Sequence, residues 1–285
     1  MVLYYAMGGG LGHLTRALAV IHTLHISDYK ILSASPYADK MFNSSNLILL
    51  PVSMEKNLKL LKNRIRDIIR DLEPTSFFID TFPMGIFGEL ETLKFPSNIK
   101  LNYISRILEF QKYMKGKDSP LQYDISYLIE EGLDSDHVEF IRRYSGIVKN
   151  LELEYPVNTI PEGYFESIPK SNQPIWMVMH SGSAEEVEVL IRHAREMAEL
   201  ETVNPFLWVV TQSEIEEKVD EKTTDMIPSY GLIPYVDRLF SACGFNMMYL
   251  TRNINIPHIF IPFPRKYDDQ FRRARIRRDQ LKCNN

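Results

Sequence analysis

Residues Met1–Leu24 read MVLYYAMGGGLGHLTRALAVIHTL. A short apolar run, Val2–Ala6, precedes Gly8-Gly9-Gly10-Leu11-Gly12-His13, and a segment with Leu14, Leu18 and Ile21 on one helical face follows. Strand, glycine-rich turn and helix in that order point free backbone N–H groups at an anion. Glycine also admits positive φ and lets a ligand approach without meeting a Cβ. The same cluster equally makes a plain tight turn between strand and helix. His13 falls at the helix start, where the positive end of the dipole disfavours imidazolium. A neutral imidazole there can act as a base; a simple surface histidine is the alternative. The spacing is not the dinucleotide fingerprint, because after Gly8 and Gly10 the place of the third glycine is taken by His13. This argues against a nicotinamide cofactor.

The 285 residues suffice for two domains of ordinary size, and 45% apolar content supplies a core. With 33 basic against 37 acidic residues the net charge is −4, which argues against a general nucleic-acid binder. Two cysteines, Cys243 and Cys283, make no framework of bridges and suggest a reducing compartment. No apolar run approaches the ~18 residues of a membrane span. The apolar N-terminal run lacks a basic flank and reads as a strand, not a signal peptide. The expected location is the cytoplasm, with a peripheral place at the inner membrane face as the alternative.

Further strands are predicted at Tyr29–Ser33, Leu47–Val52, Ser76–Ile79, Leu101–Ser105 and Ile147–Leu151, with a short helix over Pro36–Phe42. Leu58, Leu61, Ile65, Ile68, Ile69 and Leu72 predict a helix from about Met54 to Glu73, stopped by Pro74. Asp80 closes its strand and opens the polar loop Asp80-Thr81-Phe82-Pro83-Met84-Gly85, at the carboxyl end where open α/β sheets bind ligands. Residues 107–145 show no clear period. Within them Asp134-Ser135-Asp136-His137 has a chelate-like spacing, but acids and serines before a helix serve as caps more often. Pro156, Pro161, Gly163 and Pro169 mark a linker.

A second set follows: strand Ile175–Met179, loop His180-Ser181-Gly182-Ser183 and helix Ala184–Glu199, with Ser183 and Glu186 spaced as a capping box. Then come strand Phe206–Thr211, an acidic stretch Glu214–Glu221 read as a short helix or loop, Val236–Phe240, the small-residue turn Ser241–Asn246, strand His258–Pro262 and a last helix Asp268–Leu281. Alternating strands and helices imply α/β architecture with mostly parallel sheets. The expected plan is two Rossmann-like domains, 1–165 on the acceptor side and 166–285 on the donor side, facing across a cleft. The last helix is expected to pack back on the first domain.

Three stretches carry a resemblance. GGGLGHLTRALAV (8–20), DRLFSACGFN (237–246) with PHIFIPFPRKYDDQ (257–270), and IDTFPMGIFGEL (79–90) resemble segments of GT-B-fold glycosyltransferases, the MurG-like branch in particular. What the resemblance implies is an inverting, metal-independent transfer of a hexose or N-acetylhexosamine from a nucleotide diphospho-sugar, uridine-linked, to an acceptor hydroxyl. No cofactor is implied. His13 matches the loop histidine that activates or positions the acceptor, with Asp80 the second candidate for removing its proton. Donor contacts are implied for Gly9, Gly10, Gly12, Ser181, Gly182, Ser183, Gly244, Phe245, Asn246, Asp269 and Gln270. Two positions depart from the pattern. Leu250 stands where the family carries a ribose-binding glutamate, and leucine accepts no hydrogen bond; Asn255 replaces a glycine.

The competing readings are a nucleotide-sugar hydrolase or 2-epimerase of the same fold, and a degenerate nucleotide-sugar-binding protein. The acceptor is open, with lipid-linked and polysaccharide acceptors among the candidates. The basic last helix (Arg265, Lys266, Arg272, Arg273, Arg275, Arg277, Arg278, Lys282) reads first as a solvated face around Phe271, Ala274, Ile276 and Leu281, diluted by Asp268, Asp269 and Asp279. Contact with an anionic lipid surface is the alternative.

Overall fold

The apolar runs of the first half line up as parallel strands, and both faces of most of them are buried, which is why they read as near-continuous hydrophobic stretches. The computed structural model describes residues 1–157, 160, 165, 168, 173–224 and 226–283. It divides into two units: Met1–Pro156 with Lys266–Asp269, and Val157–Arg265 with Gln270–Asn285. The division expected at 165/166 lies in a stretch, 158–172, of which only 160, 165 and 168 are described, and Pro161, Gly163 and Pro169 of the expected linker lie outside the described residues.

The first unit contains β1 (Val2–Tyr5), α1 (Leu11–Thr23), β2 (Tyr29–Ser33), α2 (Ala38–Met41), β3 (Leu47–Leu49), α3 (Leu58–Leu72), β4 (Ser76–Asp80), β5 (Lys100–Ser105), α4 (Phe110–Met114), β6 (Tyr123–Leu128), α5 (Ser135–Tyr144) and β7 (Ser145–Asn150). Its strands lie in the order β3-β2-β1-β4-β5-β6-β7. All pairs are parallel, with Tyr4 opposite both Ile31 and Phe78. The second unit contains β8 (Ile175–Met179), α6 (Ala184–Glu201), β9 (Phe206–Val210), β10 (Glu221–Thr223), β11 (Arg238–Ala242), α7 (Phe245–Leu250), β12 (His258–Ile261) and α8 (Gln270–Cys283). Its sheet, β10-β9-β8-β11-β12, is also parallel throughout. Each sheet starts at its middle, grows to one side, then crosses back to the other. The order therefore reverses at β1/β4 and at β8/β11, and such reversals open a crevice at the carboxyl ends of the strands.

Departures from the sequence expectations have local causes. The strand expected over Leu47–Val52 stops at Leu49, ahead of Pro51, and the chain turns through a 3-10 segment, Val52–Lys56. Proline has no N–H to continue a ladder. The next helix begins at Leu58, not Met54, because the Asn57 side chain accepts the Leu60 N–H at 3.1 Å and caps it. The stretch without a clear period resolves into α4, β6 and α5. Asp134 there is a cap, accepting the His137 N–H at 2.9 Å. The acidic stretch before Glu221 ends in strand β10. The capping box of α6 does not form: the Ser183 side chain makes no cap bond, and Glu186 is held by an arginine. The last helix starts at Gln270, not Asp268, and its Ala274 packs with Cys243 and Met248.

Helix α3 shows how the period becomes packing. Leu61, Ile65, Ile68 and Ile69 are buried in the first core with Phe77, Ile79 and Leu101 of the sheet. Each such side chain is worth roughly 1.5–3 kcal/mol of transfer free energy. Ile65→Ala is expected to lower the unfolding free energy by about 2–5 kcal/mol, read as a shifted midpoint in urea at unchanged slope.

Candidate functional site

The reversal at β1/β4 carries a buried ionic cluster. Asp80 ends β4 with its side chain wholly buried, and Arg16 reaches it from the second turn of α1. Arg16 is 2% exposed. Its guanidinium takes the carboxylate as a fork: Nε donates to Oδ1 at 2.7 Å and Nη2 to Oδ2 at 2.5 Å. His13, one helical turn earlier, places Nδ1 2.5 Å from Oδ2, and the Tyr4 hydroxyl donates to Oδ1 at 3.1 Å. Burial pushes the Asp80 carboxyl up, but the Arg16 charge and the bonds from His13 and Arg16 outweigh it and hold it well below the usual carboxylate range. It is therefore an anion, and an anion only accepts. Arg16 Nη2 also lies 3.2 Å from His13 Nδ1, but the shorter 2.5 Å contact with the carboxylate places the proton on Nδ1 and leaves the Nε2 lone pair bare. Burial lowers the His13 pKa more than its bond to Asp80 raises it, so the imidazole is neutral near pH 7. Among the described residues no hydrogen-bond partner is found for Nε2. It lies 2.8 Å from where a Cβ on Gly8 would stand, and Gly8 has φ +143°. Only glycine gives the ring that space.

The turn after Asp80 is strained. Thr81 has φ +67° without being glycine, and Phe82 N bonds back to Asp80 O at 2.7 Å across it. That is a γ-turn of the rare, costly kind. Five bonds hold Thr81: its N–H to Ile104 O, its carbonyl from the Tyr103 hydroxyl at 2.9 Å, its hydroxyl oxygen from Arg16 at 2.7 Å and Arg106 at 3.1 Å, and its hydroxyl to Asp80 Oδ2 at 3.2 Å. Tyr103 in turn meets His137 Nε2 at 2.9 Å, and Phe110 stacks on that ring at 4.2 Å. Arg106 pairs with Asp268. Gly9 and Gly10 stand at the rim with open space where a Cβ would be, and Gly10 is the N-cap of α1. Gly12 lies exposed in the first turn.

The reversal at β8/β11 carries a second cluster. His180 follows β8, and its Nε2 meets Glu186 Oε2 at 2.7 Å. Arg265 takes the same carboxylate through both Nη atoms. Gly182 sits so close that a Cβ would overlap the His180 ring and the Glu186 carboxylate; Ser181 and Ser183 are exposed beside it. Gly244 caps α7 with open space at its Cβ position, followed by buried Phe245 and half-buried Asn246. Leu250 ends that helix and is half-buried. Gln270 is 3% exposed, and its side-chain oxygen accepts the Phe263 N–H at 3.0 Å, so that oxygen serves the backbone; Asp269 beside it is half-buried.

Within the first unit, His13 and Asp80 are thus brought together. The sequence reading missed Arg16, Thr81 and Tyr4. Arg16 had a signal: it falls three residues after His13 and one before Ala17, on the face α1 buries.

No family model matches the chain, and no curated protein matches it by sequence. Solved structures do match. Spinosyn forosaminyltransferase SpnP aligns at TM-score 0.60 over 98% of this chain and 83% of its own, with 13% identity. Spinosyn rhamnosyltransferase SpnG, complexed with thymidine diphosphate, gives 0.55 over 96% and 83%, with 10% identity. UDP-GlcNAc 2-epimerase from Neisseria meningitidis, bound to UDP-GlcNAc, gives 0.56 over 93% and 84%, with 10% identity. At such identity the likeness shows the fold. Two parallel α/β sheets of this order make the chain a GT-B fold of two Rossmann-like domains.

Two outcomes are expected of the buried charges. Asp80→Asn strands the Arg16 guanidinium without its counter-charge and is expected to cost about 3–5 kcal/mol in urea unfolding. His13→Gln, which keeps the Arg16–Asp80 fork, is expected to cost clearly less. Lowering the pH acts through the imidazoles. Burial, then the nearby Arg106 charge, lowers the His137 pKa to about 3, against about 6.5 in an unfolded chain. Between those values the unfolded chain binds the extra proton. Stability is therefore expected to fall as pH drops from about 6.5 toward 3, by up to about 1.4 kcal/mol per unit for this group; His13 acts in the same sense. Urea midpoints at pH 7 and pH 5 check it.

Proposed function

We propose that this chain is a glycosyltransferase: it moves a hexosyl or N-acetylhexosaminyl group from a nucleotide diphospho-sugar, uridine-linked, to an acceptor hydroxyl, with inversion and without a bound metal. The observation that carries the reading is His13 Nδ1 at 2.5 Å from the buried Asp80 carboxylate, with no partner for Nε2 among the described residues. In the proposed step His13 Nε2 takes the acceptor hydroxyl proton as that oxygen attacks the anomeric carbon. The bond from that carbon to the diphosphate oxygen breaks, and the diphosphate leaves as the anion. Asp80 touches no substrate in this scheme. It is a positioning residue that fixes the tautomer and favours the imidazolium formed in the step, and Arg16 keeps it ionised. Gly9 and Gly10 leave room for close approach at that edge, with Gly12 exposed in the first turn of α1. The donor is assigned to the second unit, with Ser181, Gly182, Ser183, Gly244, Phe245 and Asn246 at its carboxyl edge. Backbone donors there take up the leaving-group charge. The similar solved structures include two sugar transferases and an enzyme bound to a nucleotide sugar, which supports the substrate class.

The epimerase of the same fold keeps a second reading in play, in which the nucleotide sugar reacts without an acceptor. The discriminating experiment incubates uridine diphospho-sugars with and without candidate acceptors. The proposal expects nucleotide diphosphate release that depends on acceptor, and His13→Gln lowering kcat/KM by about 10²–10⁴-fold with nucleotide affinity retained. Its kcat/KM is expected to hold down to pH values below 6.5, the ordinary histidine value, because His13 stays neutral there. Free or epimerised sugar formed without acceptor, or full transfer by the His13 variant, overturns it.

A further inference from the structure

Each sheet has two edge strands, and an edge strand carries a row of backbone N–H and C=O groups with no ladder to join. Three of the four edges are blunted. Strand β3 has three residues with Pro51 close behind it, β10 has three, and β12 has four, set between Pro257 and Pro262. Strand β7, Ser145–Asn150, is different. It has six residues and no proline, and it pairs on one side only, with β6. Gly146, Ile147, Val148, Lys149 and Asn150 are all exposed. Ile147 and Val148 point to opposite faces of the sheet and are 51% and 40% exposed. Among the described residues, then, neither the faces nor the outer edge of β7 is closed over.

Backbone direction narrows what can pair there. The Leu151 N–H donates to Leu128 O at 2.9 Å, on the β6 side. Alternation therefore turns the backbone groups of Ser145, Ile147 and Lys149 toward β6 and those of Gly146, Val148 and Asn150 outward. An antiparallel copy of the same strand satisfies all three outward residues in one register: Val148 faces Val148 of the partner subunit, and Gly146 faces Asn150 of the partner subunit. Ile147 then stands beside Lys149 of the partner subunit, along whose methylene stem it packs. Charge selects the same arrangement. Arg142 and Arg143 end α5 just before β7, Glu152 and Glu154 follow β7, and all four are exposed. The strand thus has a basic end and an acidic end. Antiparallel pairing sets basic against acidic at both ends, whereas a parallel copy sets like against like. The pairing also closes at two copies, because it consumes β7 in both and the three-residue β3 at the far edge offers no comparable ladder.

We propose that β7 is a self-association surface: two copies of the chain pair it antiparallel about a twofold axis at Val148 and join their seven-stranded sheets into one. The proposal is independent of the transferase reading. A six-residue ladder is small beside the about 1,200–2,000 Å² buried in stable interfaces, so a dimer that dissociates in the micromolar range is expected. The test is sedimentation velocity of the full chain from about 1 to about 100 μM, where the mass is expected to rise from that of one chain toward that of two and no further. Val148→Pro removes an outward N–H at the axis, on the side of an edge strand where proline is tolerated, and is expected to weaken association at least about tenfold. Val148→Lys sets two ammonium groups opposite each other and is expected to do the same at unchanged thermal unfolding, whether or not the backbone accepts proline. Arg142→Glu with Arg143→Glu is expected to weaken the dimer as well. Leu60→Glu, at an exposed position near the other edge of the sheet, is expected to leave it intact. A chain that stays monomeric over the whole range, growth beyond two copies, Val148 or arginine variants that associate undiminished, or a dimer lost in Leu60→Glu overturns the proposal.

Discussion

A guanidinium and a carboxylate, both out of water, share the point where the first sheet reverses its strand order. Neither charge is tolerable there alone, because the interior does not replace the lost hydration. Together they over-determine the surroundings. Arg16 spends its donors on both Asp80 oxygens and on Thr81, so α1, the end of β4 and the turn beyond it are locked to one another. The positive φ of Thr81 is the cost of that arrangement, and the bonds from Tyr103 and Arg106 keep it in place. Strain of this sort survives only where neighbouring structure enforces it. The consequence for chemistry is one bare imidazole nitrogen on a ring that cannot turn.

The second unit repeats the theme with different parts. His180, Glu186 and Arg265 again put a histidine, a carboxylate and an arginine at the carboxyl edge of the central strand. Burial lowers the His180 pKa, although the Glu186 bond opposes it. The elements differ: Glu186 comes from the helix after the loop, not from a neighbouring strand, and Glu186 is half-buried where Asp80 is fully so. A less enclosed pair is held less rigidly. Glycine is required in both loops for space: Gly8 against the His13 ring, Gly182 against His180 and Glu186.

Charge is distributed to separate purposes. Cations that face inward are paired or capped: Arg16 with Asp80, Arg106 with Asp268, Arg273 and Arg277 on backbone carbonyls. Lys56, Lys59, Lys62 and Arg64, in and before α3, have no acidic partner among the described residues. A formal charge of −4 for the whole chain hides this, because net charge sums over surfaces that meet different partners. No helix among the described residues is long and apolar enough to cross a membrane.

The order of strands and helices was legible in the sequence because apolar period is a local property: Val2–Ala6, Ile175–Met179 and the α3 repeat each announce themselves within a few residues. The glycine-rich turn and His13 were legible for the same reason. Where side chains overrode the period, as Asn57 did by capping α3 late and Arg265 by drawing Glu186 out of its expected box, boundaries and caps went astray. That Asp80 meets His13 across 67 positions, and Arg16 across 64, was beyond any local pattern. A carboxylate at a strand end serves equally as a helix cap or an ion-pair partner, and only the parallel register of β1 with β4, set by burial over the whole sheet, decides which cations stand beside it.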